Sequence, residues 1–126
     1  DIYQKALKHK KYICFLHAET TLPMMFMDDA ISATVNIMEA DREKIKIRSS
    51  YNLSAMSFNP EEITESIQKH IPDFKISYEP DFRQAIADSW PQSIDDSAAR
   101  KDWGWKSEIS LDEMTEIMLT NLKDRY

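Results

Sequence analysis

The sequence is short of glycine. Only Gly104 occurs among the 126 residues, whereas average usage of about 7% would supply roughly nine. A loop that cradles phosphate groups needs several glycines, because the backbone N–H groups must approach the ligand closely. The scarcity of glycine therefore excludes a phosphate-binding loop of this kind within the chain.

Cysteine is equally scarce. Cys14 is the only one, so no disulfide can form within the chain, and a reducing compartment such as the cytoplasm is expected. Cys14 lies in an apolar strand pattern, which favours a buried structural thiol over a nucleophile. No apolar run approaches the roughly 20 residues that cross a bilayer, so we expect no membrane partner.

Basic residues are outnumbered by acidic ones. Sixteen Lys and Arg against 22 Asp and Glu give a formal charge of −6, and the longest basic block is His9-Lys10-Lys11. So few phosphate contacts argue against a nucleic-acid partner. His9, His17 and His70 stand far apart and without a cysteine at ligand spacing, so we expect surface histidines and no metal site.

What is present is a mixture of helix and strand patterns, which indicates an α/β or α+β fold. The predicted helices are 2–9, one beginning at residue 28 or 29, one from 59 to before Pro72, 95–104, and one from 110 onward; the predicted strands are 11–16, 44–48, 50–54 and 74–78, with an extended segment at 20–27. In the second helix, Ile31, Val35 and Met38 recur at helical spacing. The chain opens in a helix pattern without an initiator methionine, so we expect it to be a piece of a longer protein.

Helix ends account for several polar residues. The expected caps are Asn59, Gly104 and Ser110, the last in a Ser-x-x-Glu capping box. Two carboxylate pairs, Asp28-Asp29 and Asp95-Asp96, also stand at predicted helix starts. Capping explains both pairs, and we do not assign catalysis to either.

Trp90 stands apart from the other tryptophans. It lies between Ser89 and Pro91 in a segment with no helical or strand periodicity. A loop tryptophan with polar neighbours suits a pocket lid as well as it suits packing, and Arg83 could supply a charge for an anionic group. The run LPMMFMDD, which contains Met24, equally suits plain core or the apolar wall of a small pocket.

Four segments carry a family resemblance. LPMMFMDDA, YNLSAMSFNPEE, RQAIADSWP and DDSAARKDWGWK, in this order, resemble the C-terminal part of the extended short-chain dehydrogenases/reductases, and in detail the NAD-dependent L-threonine 3-dehydrogenases of the epimerase-like type. The resemblance covers nearly the whole chain. It implies that residues 1–126 are the substrate-binding C-terminal part of a Rossmann-type α/β enzyme, with YNLSA at the edge of an incomplete sheet.

The departures from the family pattern concern catalysis. The resemblance places the dinucleotide loop, the catalytic serine or threonine and the Tyr-x-x-x-Lys pair in an N-terminal half that this chain lacks. Four tyrosines have a residue four places on, and none is lysine: these residues are Leu7, Leu16, Ala55 and Phe82. The chain thus has no catalytic residue of its own. The resemblance implies a parent homodimer that oxidises L-threonine at its 3-hydroxyl to 2-amino-3-ketobutyrate, with hydride transfer to NAD bound mainly by the absent half.

The resemblance also implies a substrate pocket. The loop from Arg83 to Ile94 is expected to lie over it, with Trp90 as wall or lid, and residues 21–25 opposite. The substrate-binding residues expected from it are Thr21, Met24, Arg83, Ser89 and Trp90.

Two residues distinguish a threonine dehydrogenase from a sugar-nucleotide enzyme within the superfamily. Leu22-Pro23 stand where sugar-nucleotide enzymes carry the Arg-Asp of RDYIHVxD. The replacement of the polar Arg-Asp by Leu22-Pro23 suits a compact amino acid as the substrate. The alternatives are a fragment of a sugar-nucleotide epimerase or dehydratase, and a non-catalytic binding module that keeps the fold.

Overall fold

The computed structural model describes residues 1–126, and it mixes six helices with four short strands. The helices are α1 (Ile2–His9), α2 (Met27–Glu39), α3 (Pro60–Gln68), α4 (Phe82–Asp88), α5 (Ser97–Trp103) and α6 (Leu111–Lys123); the strands are β1 (Lys11–Cys14), β2 (Leu22–Met24), β3 (Met56–Phe58) and β4 (Lys75–Tyr78). None of the helices has the length and apolar character needed to cross a bilayer. The predicted mixed fold class is confirmed.

The strands form two separate pairs. β1 and β4 pair in parallel, with Cys14 opposite Tyr78, and β2 and β3 pair antiparallel, with Pro23 opposite Ser57. Cys14 is buried as predicted, and burial raises the pKa of its thiol. Two-stranded sheets are marginal by themselves, so the helices that pack on them supply most of the stability.

The first of two hydrophobic clusters, here called the large core, lies between α1, α3 and α6. Its buried members are Tyr3, Ala6, Ile63, Ile67, Phe74, Met114 and Leu119. A buried polar chain crosses it: Thr115 Oγ1 lies 3.0 Å from the Tyr3 hydroxyl oxygen and 2.9 Å from Ser66 Oγ, within hydrogen-bond distance of both. The polar atoms inside the large core are therefore satisfied.

The second cluster, here called the small core, joins α2 to α5. Its buried members are Ala33, Ala99 and Trp105, with Met25, Tyr51, Leu53 and Trp103 packed against them. The indole N–H of Trp105 donates to the carbonyl of Ser54 at 3.1 Å. This bond fixes the segment after α5 against the chain that leads into β3.

The predicted caps at three helix ends are confirmed. Asn59 and Ser110 each open a reciprocal capping box with the glutamate three residues on, Glu62 and Glu113. Gly104 closes α5 with φ of 76°, a left-handed conformation that glycine adopts without strain. These bonds depend only on neighbouring residues, so their sequence signals were sufficient.

The predicted cap of α2 is wrong. The N-cap is Phe26, which makes no side-chain bond to the helix. Asp29 is buried and instead accepts the backbone N–H groups of Glu108 and Ile109, at 3.0 and 3.1 Å. A carboxylate accepts hydrogen bonds from any donor in reach, and here the donors come from the segment that precedes α6.

The strands predicted at 44–48 and 50–54 are also wrong. Arg42–Lys44 form a 3-10 turn, and the N–H groups of Lys46 and Ile47 donate to the hydroxyl of Tyr51. The Asp96 carboxylate accepts from the N–H of Ser54. Side chains thus accept the backbone N–H groups that would otherwise form the hydrogen bonds of a β-sheet. No neighbouring strand competes for these N–H groups.

A third difference concerns the segment around Trp90. Residues 83–94 were predicted to form a loop, but Phe82–Asp88 form α4. The Asp81 side chain accepts the N–H of Arg83 and so caps this helix. Only residues after Asp88 are loop, and the N–H of Trp90 is held by the carbonyl of Ala87 at 3.1 Å.

Candidate functional site

A cavity of about 300 Å³ lies between the turn after β1 and the C-terminal half of α4. Its volume is at the lower end of the range for small-molecule sites. The lining residues are His17, Glu19, Thr20, Thr21, Gln84, Ala87, Asp88, Trp90 and Gln92. Two of the five predicted substrate-binding residues, Thr21 and Trp90, thus lie on one cavity although they are far apart in sequence.

Gln84 connects the two sides of the cavity. Its side-chain carbonyl accepts the backbone N–H of His17 at 2.8 Å, and its amide donates to the Thr20 hydroxyl at 3.0 Å. The same amide donates to the Asp88 carboxylate at 2.6 Å. One side chain on α4 therefore fixes the turn at 17–20 against the helix.

Trp90 forms an open edge of the cavity. The residue is 58% exposed, although its backbone N–H is bonded to the end of α4. The helix end thus fixes its backbone, while more than half of the surface of the residue is exposed. A large amphipathic ring with a fixed backbone and a free face can contact a ligand at low entropic cost.

Arg83 and Ser89 lie on the same segment but do not line the cavity. Arg83 forms a bidentate pair with Asp81, at 2.7 to 3.1 Å, and its guanidinium lies 3.4 Å from the centre of the Phe15 ring. The hydrogen bonds from Arg83 lower the pKa of the Asp81 carboxyl. The Ser89 hydroxyl donates to the carbonyl of Ile86 at 2.6 Å. Arg83 thus stabilises the N-terminal turn of α4, and Ser89 stabilises its C-terminal end.

Met24 lies next to the cavity rather than in it. It lines a cavity of about 100 Å³ together with Pro23, Leu53 and Ile94, and also a mostly apolar one of about 140 Å³ on the side of β1. The segment 21–25 and the segment that ends at Ile94 therefore face each other at two places, once through Thr21 and Trp90 and once through Met24 and Ile94.

The electrostatic character of the cavity is acidic. Glu19 and Asp88 are carboxylates, and the lining contains no lysine or arginine. The exposed face of Trp90 adds a surface that attracts cations. Such a lining suits a small ligand that carries an ammonium group, and it disfavours a phosphate or pyrophosphate.

The cavity offers binding groups rather than reacting groups. His17 is the only histidine in its lining, and it is exposed. No group of three or more His, Cys, Asp or Glu side chains is arranged to hold a metal ion. Within this chain the arrangement can bind and orient a small molecule and limit its contact with water.

Sequence reasoning missed most of the polar lining. His17, Glu19, Gln84, Asp88 and Gln92 were not predicted to belong to the site. A signal existed for two of them: Pro80-Asp81 followed by FRQAIAD is a helix start with good helix formers. Recognising that helix would have placed Gln84 and Asp88 on one face, four residues apart.

The chain does not fit a dinucleotide by itself. The resemblance implies NAD, whose pyrophosphate is bound by a glycine-rich loop at a helix N-terminus. The single glycine, Gly104, lies at the opposite end of a helix, where it closes α5. No step of a reaction can be assigned through NAD from the residues of this chain.

Comparisons with known proteins find relatives that match nearly the whole chain. No family model matches, but the chain is 49% identical over 120 residues to the mitochondrial L-threonine 3-dehydrogenase of Bos taurus, covering 94% of this chain and 32% of that protein. It is 48% identical over 126 residues to an uncharacterized epimerase/dehydratase of Staphylococcus haemolyticus, covering 99% of this chain and 40% of that protein. The chain thus spans well under half the length of these relatives.

Solved structures give the same result. The L-threonine dehydrogenase of Phytophthora infestans superposes with a TM-score of 0.95 at 50% identity, over 99% of this chain and 40% of that one. The ADP-L-glycero-D-manno-heptose-6-epimerase of Helicobacter pylori superposes with a TM-score of 0.76 at 19% identity, over 96% and 36%, which shows a common fold only. The chain therefore belongs to the epimerase/dehydratase type of the short-chain dehydrogenases/reductases and corresponds to the C-terminal part of such an enzyme.

Proposed function

We propose that the parent enzyme oxidises L-threonine at its 3-hydroxyl to 2-amino-3-ketobutyrate, with NAD as the hydride acceptor, and that this chain supplies the substrate-facing lobe. The observation that carries the proposal is the small acidic cavity that brings Thr21 and Trp90 together. The identity of about 50% with proteins named L-threonine dehydrogenases supports it. NAD would be held mainly by the part of the enzyme that lies outside this chain.

The lining suggests how the substrate is recognised. Threonine is a small zwitterion, and its ammonium group suits the carboxylates of Glu19 and Asp88 and the ring of Trp90. The Thr21 hydroxyl, which donates to the carbonyl of Glu19 at 3.3 Å, is available as a further polar contact. Met24 would bound the apolar side, while Arg83 and Ser89 would hold α4 in place.

The contribution of this lobe to catalysis is enclosure. The group that accepts the hydroxyl proton would lie in the other part of the enzyme, because no tyrosine of this chain has a lysine four places on. Trp90 and the turn at 17–21 would cover the substrate and exclude water, which strengthens the electrostatic interactions around it. Closure of such a lobe over the substrate is a common gate.

A sugar-nucleotide epimerase or dehydratase is the second candidate. The name of the Staphylococcus haemolyticus relative and the fold shared with the Helicobacter pylori epimerase favour it. The cavity argues against this candidate, because its volume is only about 300 Å³ and its acidic lining repels the diphosphate of a nucleotide sugar.

Three further expectations stay predictions: a non-catalytic module, a cytoplasmic location and a parent homodimer. The bovine relative is by name mitochondrial.

The test is a kinetic comparison in the full-length enzyme. We expect reduction of NAD with L-threonine, and a loss of kcat/KM of at least about tenfold, or about 1.4 kcal/mol, for Trp90→Ala. Trp90→Phe should recover part of this loss because it keeps the ring. Tyr126→Ala is the matched control, since Tyr126 is an exposed aromatic residue near α1. Unchanged threonine kinetics in Trp90→Ala, or activity on a nucleotide sugar alone, would contradict the proposal.

A further inference from the structure

Two carboxylates line the cavity at Trp90, but only one of them is held in place by the chain. The Asp88 carboxylate accepts a hydrogen bond from the Gln84 amide at 2.6 Å through its Oδ1 oxygen, and its Oδ2 oxygen has no partner. Glu19 takes part only through its backbone carbonyl, which accepts the hydroxyl of Thr21 at 3.3 Å. Asp88 is therefore the carboxylate that has a fixed orientation and one oxygen left for a ligand.

The orientation of the Gln84 amide follows from its partners. The backbone N–H of His17 can only donate, so the atom that lies 2.8 Å from it is the amide oxygen. An ionised carboxylate can only accept, so the amide nitrogen is the atom that bonds to Asp88. The hydroxyl of Thr20, which can donate and accept, takes the second N–H of the amide at 3.0 Å. Both N–H groups and the oxygen of Gln84 are thus used, and one orientation of the amide satisfies all three partners.

The same amide ties together the parts of the cavity that come from distant segments. Every side-chain hydrogen bond between the turn at 17–20 and α4 includes Gln84. Gln84 and Asp88 stand four residues apart on α4, which places them on one face of the helix. The arrangement of Asp88 relative to the turn therefore depends on one side chain.

We propose that Asp88 receives the ammonium group of the substrate and that Gln84 is the positioning residue that holds Asp88 for this contact. The inference rests on the proposed function, because it takes a small amino acid as the substrate. A carboxylate that a hydrogen bond already orients binds a cation with less loss of side-chain entropy. Glu19, whose carboxylate has no partner, adds negative charge to the cavity without a fixed direction.

The residue type at position 84 fits this role. A glutamate there would place a second carboxylate within hydrogen-bond reach of Asp88, and two such groups cannot both be ionised without a cost. A lysine could donate to Asp88, but it has no acceptor for the N–H of His17 and would offset the charge that attracts the ammonium group. An amide orients Asp88 and leaves its charge intact.

The test measures the steady-state kinetics of the full-length enzyme with L-threonine and NAD. Gln84→Met keeps the length of the side chain but removes its hydrogen bonds, and Asp88→Asn keeps the shape but removes the charge. We expect each substitution to raise the KM for L-threonine by about tenfold or more, since a bond to a charged group is lost or misplaced. The KM for NAD should not change, and kcat should change by less than about threefold, because the ammonium group is bound equally before and during the reaction.

A double variant distinguishes positioning from an independent structural role. If Gln84 acts through the charge of Asp88, then Gln84→Met should add less than about twofold to the effect of Asp88→Asn on the KM. If the two side chains act independently, their effects should multiply. Glu19→Gln should raise the KM for L-threonine by less than about threefold, because this carboxylate is not oriented by the chain.

Gln68→Met is the matched control for the loss of a glutamine amide. Gln68 lies on α3, outside the cavity, and its amide donates to the carbonyl of Phe74 at 2.9 Å. Its substitution should lower the melting temperature and leave the KM for L-threonine unchanged. A purely structural role of Gln84 would make Gln84→Met behave in the same way.

Three outcomes would overturn the inference: an unchanged KM for L-threonine in Gln84→Met, effects of Gln84→Met and Asp88→Asn that multiply, and a larger rise in KM for Glu19→Gln than for Asp88→Asn. The last comparison changes exposed side chains only, so it decides the matter even if Gln84→Met does not fold. A wild-type enzyme that does not oxidise L-threonine would contradict the proposed function and this inference with it, whereas the three outcomes above contradict this inference alone.

Discussion

The two hydrophobic clusters of this chain differ in how completely they are covered and hydrogen-bonded. The buried members of the large core come from α1, α3 and α6 and include Phe74, and its internal polar groups, from Tyr3 through Thr115 to Ser66, bond to one another. The small core has three buried members. It is bordered by the exposed side chains of Met27, Ile31, Val35 and Met38 on α2, by residues 49–53, whose backbone groups bond to no other backbone group, and by the indole N–H of Trp103, which has no hydrogen-bond partner.

This difference indicates that the two clusters have different roles in the chain. Burial is what stabilises a fold, so the large core should account for most of the stability that these 126 residues have alone. The small core holds α2 and residues 49–53 in position while leaving their outer surfaces free. In a family whose members are more than twice as long, an unfinished region of this kind is expected wherever two parts of the enzyme meet.

The strongest test of the comparison removes a side chain from the large core. Phe74 is almost completely buried, so Phe74→Ala should lower the free energy of unfolding by about 3–5 kcal/mol. The control is Phe82→Ala, because Phe82 on α4 is 76% exposed and its loss should change stability by less than about 0.5 kcal/mol. Urea titration of the 126-residue chain measures both. A cost below about 1 kcal/mol for Phe74→Ala would show that the large core is not the main source of stability.

A smaller effect is expected from the link between α2 and the segment before α6. Asp29→Asn keeps the shape of the side chain but loses the charge and one acceptor for the N–H groups of Glu108 and Ile109. Hydrogen bonds to charged groups are worth about 1.5–3 kcal/mol each, so we expect a loss of about 2 kcal/mol in urea titration. Asp28→Asn is the matched control, since Asp28 is exposed and contributes only its interaction with the positive end of the helix. Equal losses for the two variants would mean that the buried link does not matter.

Local signals predicted local structure well. The caps at Asn59, Ser110 and Gly104 involve residues at most a few positions apart, and all three were predicted from sequence. The errors arose where distant groups compete for the same atoms. Asp28 or Asp29 was predicted to cap α2, but Asp29 accepts the N–H groups of residues 108 and 109. The segment 44–48, predicted as a strand, donates the N–H groups of Lys46 and Ile47 to the Tyr51 hydroxyl.

The candidate site was predicted only in outline. The resemblance brought segment 21–25 opposite the segment that contains Trp90, and the structure places both around the cavities beside β2. The polar lining could not be predicted, because Gln84 acquires its role only through contacts with His17 and Thr20, more than sixty positions away. Composition and periodicity carry no information about such contacts.

The smallest expected effect concerns two carboxylates, one at each cluster. Asp96, beside the small core, is buried, and its pKa is lowered by the hydrogen bond from Arg100 and by the N–H of Ser54. Asp112, beside the large core, is exposed, and its pKa is lowered by Lys69 and Ser66. A lowered folded-state pKa means that the unfolded chain binds more protons below about pH 4, the ordinary value for aspartate. Both groups therefore stabilise the fold above that pH, and the contribution is lost as the pH falls through the folded-state pKa.

Salt should affect the contributions of these two carboxylates to stability to different degrees. At 1 M salt the Debye length is about 3 Å, and exposed pairs are screened far more than buried ones. We expect Asp96→Asn to flatten the dependence of unfolding free energy on pH between about 5 and 3, both at low salt and at 1 M salt. Asp112→Asn should flatten it only at low salt. If 1 M salt abolished the effects of both substitutions, Asp96 would be as accessible to solvent as Asp112. The hydrogen bond from the Ser54 N–H to Asp96, the N-cap of α5, would then not hold the chain before β3 against the small core.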